Sequence, residues 1–230
     1  MKTHLLTALL ALVFGFAGAA LWSLSGLGNP QLRDFLVANP EVLPEMAQAL
    51  QQRESEGRLA EVADEVAAPF PGAVLGNPEG SRTLVKFTDY ACTYCRAAEA
   101  DVQRLIAEDP ELRVVVREWP IFDGSEEAAR MALAAAEQGK YSQFYTAMFA
   151  LGPPSPATVE AAALEAGLDL AQARQFAGTE GVTRELAQNM ALAQQLGFTG
   201  TPSWVTGSQV LQGAVGYEAL AEAVAADDPA

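Results

Sequence analysis

The chain has 230 residues, half of them hydrophobic, which is enough apolar material for one substantial core. Its 14 basic and 29 acidic side chains give a formal charge of -15, which repels phosphate backbones and excludes nucleic acid as a partner. Two cysteines and one histidine cannot supply a four-ligand zinc site. Because the histidine, His4, precedes the expected folded part, catalytic pairs that rely on histidine are excluded as well.

The N-terminus carries a targeting element. An apolar run from Leu5 to Trp22 follows the basic residue Lys2, and the small residues Ala17-Gly18-Ala19 offer a cleavage site. We interpret residues 1–24 as a signal peptide or, alternatively, as an uncleaved membrane anchor, since about 18 apolar residues can just span a bilayer. Either interpretation predicts an exported protein, and a bacterial periplasm is a compartment in which a dithiol can be oxidised.

Residues 29–68 are predicted to form a helical segment. Asn29-Pro30 and Asn39-Pro40 each place a capping side chain before a proline that suits the first helical position, so two short helices are expected. Narrow apolar stripes follow at helical spacing, before and after Gly57. Their members are Leu43, Met46 and Leu50, and then Leu59, Val62 and Val66. Such stripes either dock on their own domain or join subunits.

Residues 70–227 are predicted to form an α/β domain that begins after Pro69 and Pro71. The order strand, helix, strand around the cysteines implies a parallel pair, whose second strand is covered on both faces. A helical insertion is expected over about 125–197. The other expected elements are strands at Ala73–Leu75, Thr83–Thr88 and Leu112–Glu118, a hairpin of Ser203–Thr206 and Gln209–Gln212, and a helix at Tyr217–Ala225.

Cys92 and Cys95 are three residues apart, the first at a predicted strand end and the second in the first turn of a helix. The free N–H groups of that turn point at the first sulfur and favour its thiolate. A structural disulfide is the alternative, but so short a loop yields only about 2 kcal/mol in the chain-entropy model. A metal site lacks partner ligands. The spacing therefore predicts a redox-active dithiol that needs no cofactor and no metal.

Three segments carry a family resemblance: Val85 to Cys95, Arg117 to Phe122, and Gly200-Thr201-Pro202. They resemble the DsbA-like thiol-disulfide oxidoreductases over about Ala73 to Ala225, and most closely the periplasmic members with extra N-terminal helices, some of which oligomerise through those helices. The resemblance implies a thioredoxin fold with an inserted helical domain, preceded by a short N-terminal helical segment.

The resemblance also implies roles for particular residues. Cys92 is expected to be the exposed nucleophile and Cys95 the buried resolving thiol. Thr201-Pro202 is expected to be a cis peptide that faces the dithiol. The Thr201 backbone would then be free to pair with an extended segment of substrate.

Lys86 departs from the family pattern, in which an acidic residue commonly stands six positions before the first cysteine and relays protons. A lysine there either favours a thiolate or extends its ammonium into solvent. Asp89 either takes over as the acid or caps a turn. Thr93 and Tyr94 bring no positive charge, which predicts a weaker oxidant than a pair with an intervening histidine. Tyr94 either presents an aromatic surface to substrate or packs beside the dithiol.

The predicted function is thiol-disulfide exchange outside the cytoplasm, with disulfide formation and isomerisation both open. The expected substrates are unfolded or misoxidised secreted proteins. A membrane redox partner would recharge the site, and a homo-oligomer could form through the N-terminal helices. The alternative is a chaperone-like or binding protein in which the redox disulfide is incidental.

Overall fold

The computed structural model describes residues 2–24 and 30–226, with side chains described at 10–21, 33–47 and 49–226. The chain divides into two units, Met1–Gln51 and Gln52–Ala230. The helices of the described residues are α1 (Lys2–Leu24), α2 (Pro30–Ala38), α3 (Val42–Ala67), α4 (Thr93–Ala97), α5 (Glu99–Glu108), α6 (Ser125–Glu137), α7 (Tyr141–Leu151), α8 (Pro156–Glu165), α9 (Leu170–Ala177), α10 (Glu180–Gln195) and α11 (Tyr217–Ala225). The strands are β1 (Val74–Gly76), β2 (Arg82–Thr88), β3 (Leu112–Glu118), β4 (Ser203–Thr206) and β5 (Gln209–Gln212).

The first unit contains α1, α2 and the beginning of α3. Pro30 is the first residue of α2, as its fixed φ predicts. Asn29, the predicted cap, lies outside the described residues, as do residues 25–28 of the polar stretch after the leader. The predicted cleavage site lies within α1. Over the part of the chain that the structure describes, no helix combines the length and the apolar character needed to cross a membrane.

Helix α3 runs unbroken from Val42 to Ala67, so the prediction of a short second helix is wrong. Gly57 lies inside it, where a glycine costs about 0.5–1 kcal/mol relative to alanine. Burial offsets this cost, because each fully buried aliphatic side chain contributes about 1.5–3 kcal/mol. The buried side chains of the later stripe are Leu59, Val62 and Val66.

The two apolar stripes of α3 therefore have different environments. The later stripe docks on the core of its own domain, which is one of the two predicted outcomes. The earlier stripe, made of Leu43, Met46 and Leu50, has more than half of each side chain exposed. The division between the two units, at Gln51, falls between the stripes and inside the predicted segment 29–68.

The second unit is built on one mixed sheet with the strand order β1-β3-β2-β4-β5. Strands β2 and β3 are parallel and β4 and β5 form an antiparallel hairpin, both as predicted. The register places Thr88 beside Glu118 at the carboxyl ends of β2 and β3. Lys86 pairs with Trp204 of β4. The cysteines follow directly after this end of β2.

Helices cover both faces of the sheet, which confirms the prediction made from the three consecutive valines of β3. Leu84 and Val114 face a large layer that includes the helices α6 to α9. Val85 and Val115 face a second layer formed with α3 and α10. Because side chains alternate along a strand, Lys86 lies on the face of Leu84.

The helical insertion consists of α6 to α10 and spans Ser125–Gln195, close to its predicted bounds. The single helix predicted after Cys92 is divided into α4 and α5 at Ala98. The backbone of Ala98 is itself helical, with φ -75° and ψ -9°, so the interruption is slight. This arrangement holds Cys95 in the short α4, between β2 and the longer α5.

Candidate active site

Cys92 and Cys95 lie where β2 is succeeded by a helix, as the sequence predicted. Cys92 is the N-terminal cap of α4, and its sulfur accepts a hydrogen bond from the Cys95 N–H at 3.4 Å. Both cysteines carry free thiols. The geometry suits a sulfur nucleophile.

The loop that precedes β4 covers this sulfur. The Thr201-Pro202 peptide is cis, as the resemblance implied. The Cys92 thiol donates a hydrogen bond to the Thr201 carbonyl oxygen at 3.1 Å. Only 3% of Cys92 is exposed, so the expectation of an exposed nucleophile is wrong. The Thr201 carbonyl is one of the groups that lie against the sulfur.

Cys95 is fully buried, in agreement with the resolving role that the resemblance implies. Burial raises the pKa of Cys95 to about 11. The nearby Thr201 and Thr88 side chains oppose that rise in the pKa. The positive charge of Lys86 and the Asp89 backbone N–H also lower the pKa. The hydroxyl oxygens of Thr88 and Thr201 have no conventional hydrogen-bond partner, which leaves both hydroxyls available to the sulfur.

Lys86 is fully buried, which excludes the alternative of an ammonium group in solvent. Its Nζ donates hydrogen bonds to Glu99 Oε1 and, at 2.8 Å, to the Tyr145 hydroxyl. The Tyr145 hydroxyl in turn donates to Glu99 Oε1 at 2.7 Å. Nζ also lies 5.3 to 5.5 Å from the ring centroids of Tyr145, Phe149 and Trp204. This pairing provides what a buried ammonium requires.

The sequence did not reveal the partners of Lys86. Glu99 is 13 residues away and Tyr145 is 59 residues away. The available signal was the position of the lysine two residues after Leu84, on the same apolar face of a buried strand. A charge in such a place needs a counterion. That signal indicates that a partner exists and does not identify it.

Asp89 caps a turn and fastens the loop after β3. Its carboxylate accepts four hydrogen bonds at 2.7 to 3.0 Å, from the N–H groups of Ala91, Ile121 and Phe122 and from the Ser125 hydroxyl. Of the two alternatives, the structure therefore supports the cap. The loop that carries Ile121 and Phe122 is held to the turn that precedes Cys92.

The residues between the cysteines point outward. Thr93 is exposed and Tyr94 is 66% exposed, so the tyrosine does not pack beside the dithiol. Ile121 and Phe122, on the loop held by Asp89, are also exposed. Aromatic and aliphatic side chains are thus available to an unfolded chain on this side of the molecule.

Glu118, at the end of β3, is a buried carboxyl group that the sequence analysis did not assign. The hydroxyls of Tyr90 and Tyr141 donate to its Oε1 at 2.8 and 2.7 Å, while its Oε2 has no hydrogen-bond partner among the described residues. Burial raises the pKa of Glu118 to about 8. The signal in the sequence was again a charged residue on the apolar face of a buried strand.

No group of three or more histidine, cysteine, aspartate or glutamate side chains within the described residues is arranged to hold a metal ion. The arrangement around Cys92 and Cys95 can instead perform thiol chemistry.

Two family models match the chain. The model of the DSBA-like thioredoxin domain matches residues 83–225, which include the dithiol and the cis peptide. The model of the copper resistance protein ScsC N-terminal domain matches residues 29–56, which cover α2 and the first part of α3.

Solved structures share the fold. A thioredoxin-like oxidoreductase from Silicibacter pomeroyi DSS-3 is 48% identical, with a TM-score of 0.64 over 66% of this chain and 90% of that one. BcfH from Salmonella enterica Typhimurium is 24% identical, with a TM-score of 0.71 over 98% of both chains. A linker-deletion mutant of Proteus mirabilis ScsC is 24% identical, with a TM-score of 0.70 over 85% of this chain and 90% of that one. At 24% identity, the matches to BcfH and to ScsC show a shared fold and nothing more.

Among curated proteins, the Na(+)/H(+) antiporter NhaA 3 of Salinispora tropica is 30% identical over 155 residues. The match covers 66% of this chain and 24% of that protein. The chain therefore spans about a quarter of the length of the curated relatives it matches.

Proposed function

This chain belongs to the DsbA-like thioredoxin-domain family, and from that premise we propose that it is a thiol-disulfide oxidoreductase that forms or rearranges disulfide bonds in secreted proteins outside the cytoplasm. Cys92 is the attacking sulfur and Cys95 is the resolving sulfur. The dithiol is the whole redox centre, and no further cofactor or metal takes part.

One observation carries the proposal: the position of the Cys92 sulfur. The sulfur accepts a hydrogen bond from the N-terminus of α4 at 3.4 Å and donates one to the Thr201 carbonyl at 3.1 Å. A sulfur held by a helix N–H is stabilised as a thiolate, and the backbone of the covering loop lies within reach of whatever binds that sulfur. A cysteine pair with a purely structural role does not require either feature.

In the proposed reaction, the Cys92 thiolate attacks a substrate disulfide and forms a mixed disulfide, which releases one substrate thiolate. Cys95 then attacks the Cys92 sulfur, which releases the second substrate thiolate and leaves a Cys92–Cys95 disulfide. In the oxidising direction the same steps run in reverse and Cys95 is the leaving group. An extended substrate segment pairs with the backbone at Thr201 and Pro202, and Tyr94 contacts its apolar side chains.

The N-terminal segment favours isomerisation by a homo-oligomer as the more specific activity. Leu43, Met46 and Leu50 form an exposed apolar stripe on α3, and such a stripe is suited to pairing with a second copy of the helix. Several dithiols that face one substrate can break and remake its disulfides without releasing it.

The apolar run from Leu5 to Trp22 supports export, and the proposed location is the periplasm. A dithiol that oxidises or reduces substrates must be restored after each cycle. We therefore expect a redox partner in the membrane.

The test of the activity uses ribonuclease with scrambled disulfides and, separately, reduced ribonuclease. We expect the purified chain to restore ribonuclease activity, Cys92→Ala to abolish this effect, and Cys95→Ala to accumulate a mixed disulfide through Cys92. Full recovery of ribonuclease with Cys92→Ala would instead establish the chaperone-like alternative.

The test of the oligomer uses the mass of the protein in solution. Met46→Glu places a charge in the earlier stripe and should lower this mass. Gln51→Glu is the matched control, because Gln51 is exposed and lies about 140° around the helix from Met46. The control should keep the mass of the original chain, and equal masses in the two variants would refute the interface.

A further inference from the structure

Arg96 joins the helix that carries the dithiol to the helical insertion, and the reaction above gives it no role. It follows Cys95 directly and lies in the last turn of α4. Its Nη1 donates a hydrogen bond to the Phe149 carbonyl oxygen of α7, and its Nη2 donates one at 3.4 Å to the Tyr90 carbonyl oxygen. Tyr90 lies in the turn after β2. A single side chain therefore ties both the turn before the dithiol and α4 to the end of α7.

The sequence explains why the end of α7 needs an outside donor. Helix α7 ends at Leu151, and the Phe149 carbonyl oxygen would pair with the N–H of residue 153 if the helix continued. That residue is Pro153, which has no N–H. Because Phe149 is buried, its carbonyl oxygen has to find a donor elsewhere in the protein. A guanidinium suits this place, since a helix C-terminus favours a positive charge.

The segments fastened to the dithiol carry exposed apolar side chains, which we call the apolar rim. Its members, each at least 40% exposed, are Tyr94 of α4, Ile121 and Phe122 of the loop after β3, and Leu151, the last residue of α7. Asp89 holds the loop after β3 to the turn that precedes Cys92. Arg96 holds α7 to the same turn.

The loop after β3 and the loop after α7 also adjoin each other. A Cβ atom at Gly124 would lie 3.9 Å from the Pro154 carbonyl oxygen, so the two loops pass side by side. Both loops are bonded to the turn after β2, at the end of the molecule where the cysteines lie. The place of Leu151 relative to Cys92 is therefore set by the bonds of Arg96.

The rim distinguishes polypeptide substrates from small disulfides. An unfolded chain has apolar side chains on both sides of its cysteine, and these can contact the rim while the cysteine reacts with Cys92. Oxidised glutathione has no apolar side chain to place there. Both hydrogen bonds of the Arg96 side chain to described residues go to backbone carbonyl oxygens, and neither goes to a cysteine sulfur. Arg96 thus bears on the shape of the surface around the dithiol.

We propose that Arg96 is a positioning residue for polypeptide substrates, because it fixes the end of α7 so that Leu151 meets an apolar substrate side chain while Cys92 reacts. This inference rests on the proposed function. Without the guanidinium, the Phe149 carbonyl oxygen loses its donor and the last turn of α7 is no longer held to the turn before the dithiol. A substrate must then order that turn as it binds, which weakens its binding.

The test compares a polypeptide substrate with a small one. Recovery of activity from scrambled ribonuclease, measured over a range of ribonuclease concentrations in a glutathione buffer, gives kcat and KM. The rate at which oxidised glutathione oxidises the reduced protein gives the reactivity of the dithiol alone. The main variant is Arg96→Met. Its matched control is Arg130→Met, because Arg130 also donates to a carbonyl oxygen at a helix end, that of Ala177 in α9.

We expect Arg96→Met to raise the KM for scrambled ribonuclease about tenfold and to keep kcat within about twofold, the pattern of a lost binding contribution. Its reaction with oxidised glutathione should stay within about twofold of the original chain. Arg96→Lys keeps a donor for the Phe149 carbonyl oxygen and should restore most of the loss, and Arg130→Met should match the original chain. An unchanged KM in Arg96→Met overturns the proposal. A slower glutathione reaction also overturns it, because Arg96 would then act on the dithiol itself.

Leu151→Ser tests the route by which Arg96 acts, and it decides the matter by itself if Arg96→Met does not fold. Alone it should raise KM about fivefold, whereas Leu164→Ser, at an exposed leucine of α8, should leave KM unchanged. Added to Arg96→Met it should raise KM by less than about twofold more, since a leucine that is no longer held contributes little. An unchanged KM in Leu151→Ser, or effects of the two changes that multiply, would contradict the proposal. If the original chain restores no ribonuclease activity, the proposed function fails instead.

Discussion

Lys86 and Arg117 are two buried cations on neighbouring strands of the same sheet, and they face opposite sides of it. Arg117 donates to the carbonyl oxygens of Glu65, Val66 and Ala68 at the end of α3. It also pairs with Glu185 at 3.0 Å. Its partners are therefore a helix C-terminus and a carboxylate, both of which favour a fixed positive charge.

Lys86 has far fewer fixed acceptors. Its hydrogen bonds go to one carboxylate and one hydroxyl, and the dithiol lies on its side of the sheet. The comparison teaches that burial of a cation does not by itself indicate its role. Arg117 stabilises the docking of the later part of α3, whereas Lys86 is paired with one partly exposed carboxylate on the side of the sheet that carries the dithiol.

The largest expected effect comes from Arg117→Met. The substitution leaves three carbonyl oxygens and Glu185 without their donor, and breaking a buried pair costs about 3–5 kcal/mol of unfolding free energy. Urea denaturation measures this loss. Arg113→Met, on the same strand and face, should cost much less, because the hydrogen bonds of the Arg113 side chain to described residues go to the Thr83 hydroxyl alone. Equal losses in the two variants would show that the buried partners of Arg117 do not stabilise the fold, and the contrast with Lys86 would then be wrong.

Glu118→Gln tests the face of the sheet that carries Lys86 and the dithiol. The pKa of Glu118 rises from 4.5 to about 8 on burial, so the folded protein holds a proton that the unfolded chain loses. Its contribution to stability is therefore full below about pH 4.5 and is lost as the pH rises to about 8. Between pH 5 and pH 8.5 we expect the stability of Glu118→Gln, relative to the original chain, to rise by about 4 kcal/mol, since one pKa unit corresponds to about 1.36 kcal/mol.

The matched control for this change is Glu111→Gln, an exposed position just before β3. Its stability difference from the original chain should be the same at pH 5 and pH 8.5. If Glu118→Gln behaves like this control, the buried carboxyl group is not protonated in the folded protein.

The smallest effect is expected from Gly57→Ala. The new methyl group would meet no atom within 4 Å, and alanine is favoured over glycine inside a helix by about 0.5–1 kcal/mol. Thermal unfolding should show this gain, while the rate at which the protein restores ribonuclease activity stays unchanged. A change in that rate would show that α3 influences the dithiol, although the two lie in different layers of the domain.

The sequence predicted the strands and the dithiol well because their signals are local. Three consecutive valines indicate a strand covered on both faces, and the interval from Cys92 to Cys95 specifies the redox centre. The cis state of Pro202 followed from the family resemblance, since base rates alone favour trans. Gly57 misled the prediction of short helices, because docking of distant residues decides whether a glycine ends a helix.

The environment of the dithiol could not be predicted in the same way. The near burial of Cys92 depends on a loop more than 100 residues later in the chain. The counterion of Lys86 is on α5, and its hydroxyl partner is on α7. Alternation along β2 predicts the face on which the lysine lies, but tertiary packing determines what meets it there.

Redox titration tests the central claim most directly. The folded protein is equilibrated in mixtures of reduced and oxidised glutathione, quenched in acid, alkylated with a mass tag, and its free thiols are counted. Two thiols should disappear together in a single two-electron transition as a Cys92–Cys95 disulfide forms. Two thiols that persist in the folded protein across the whole range of glutathione ratios would contradict the account.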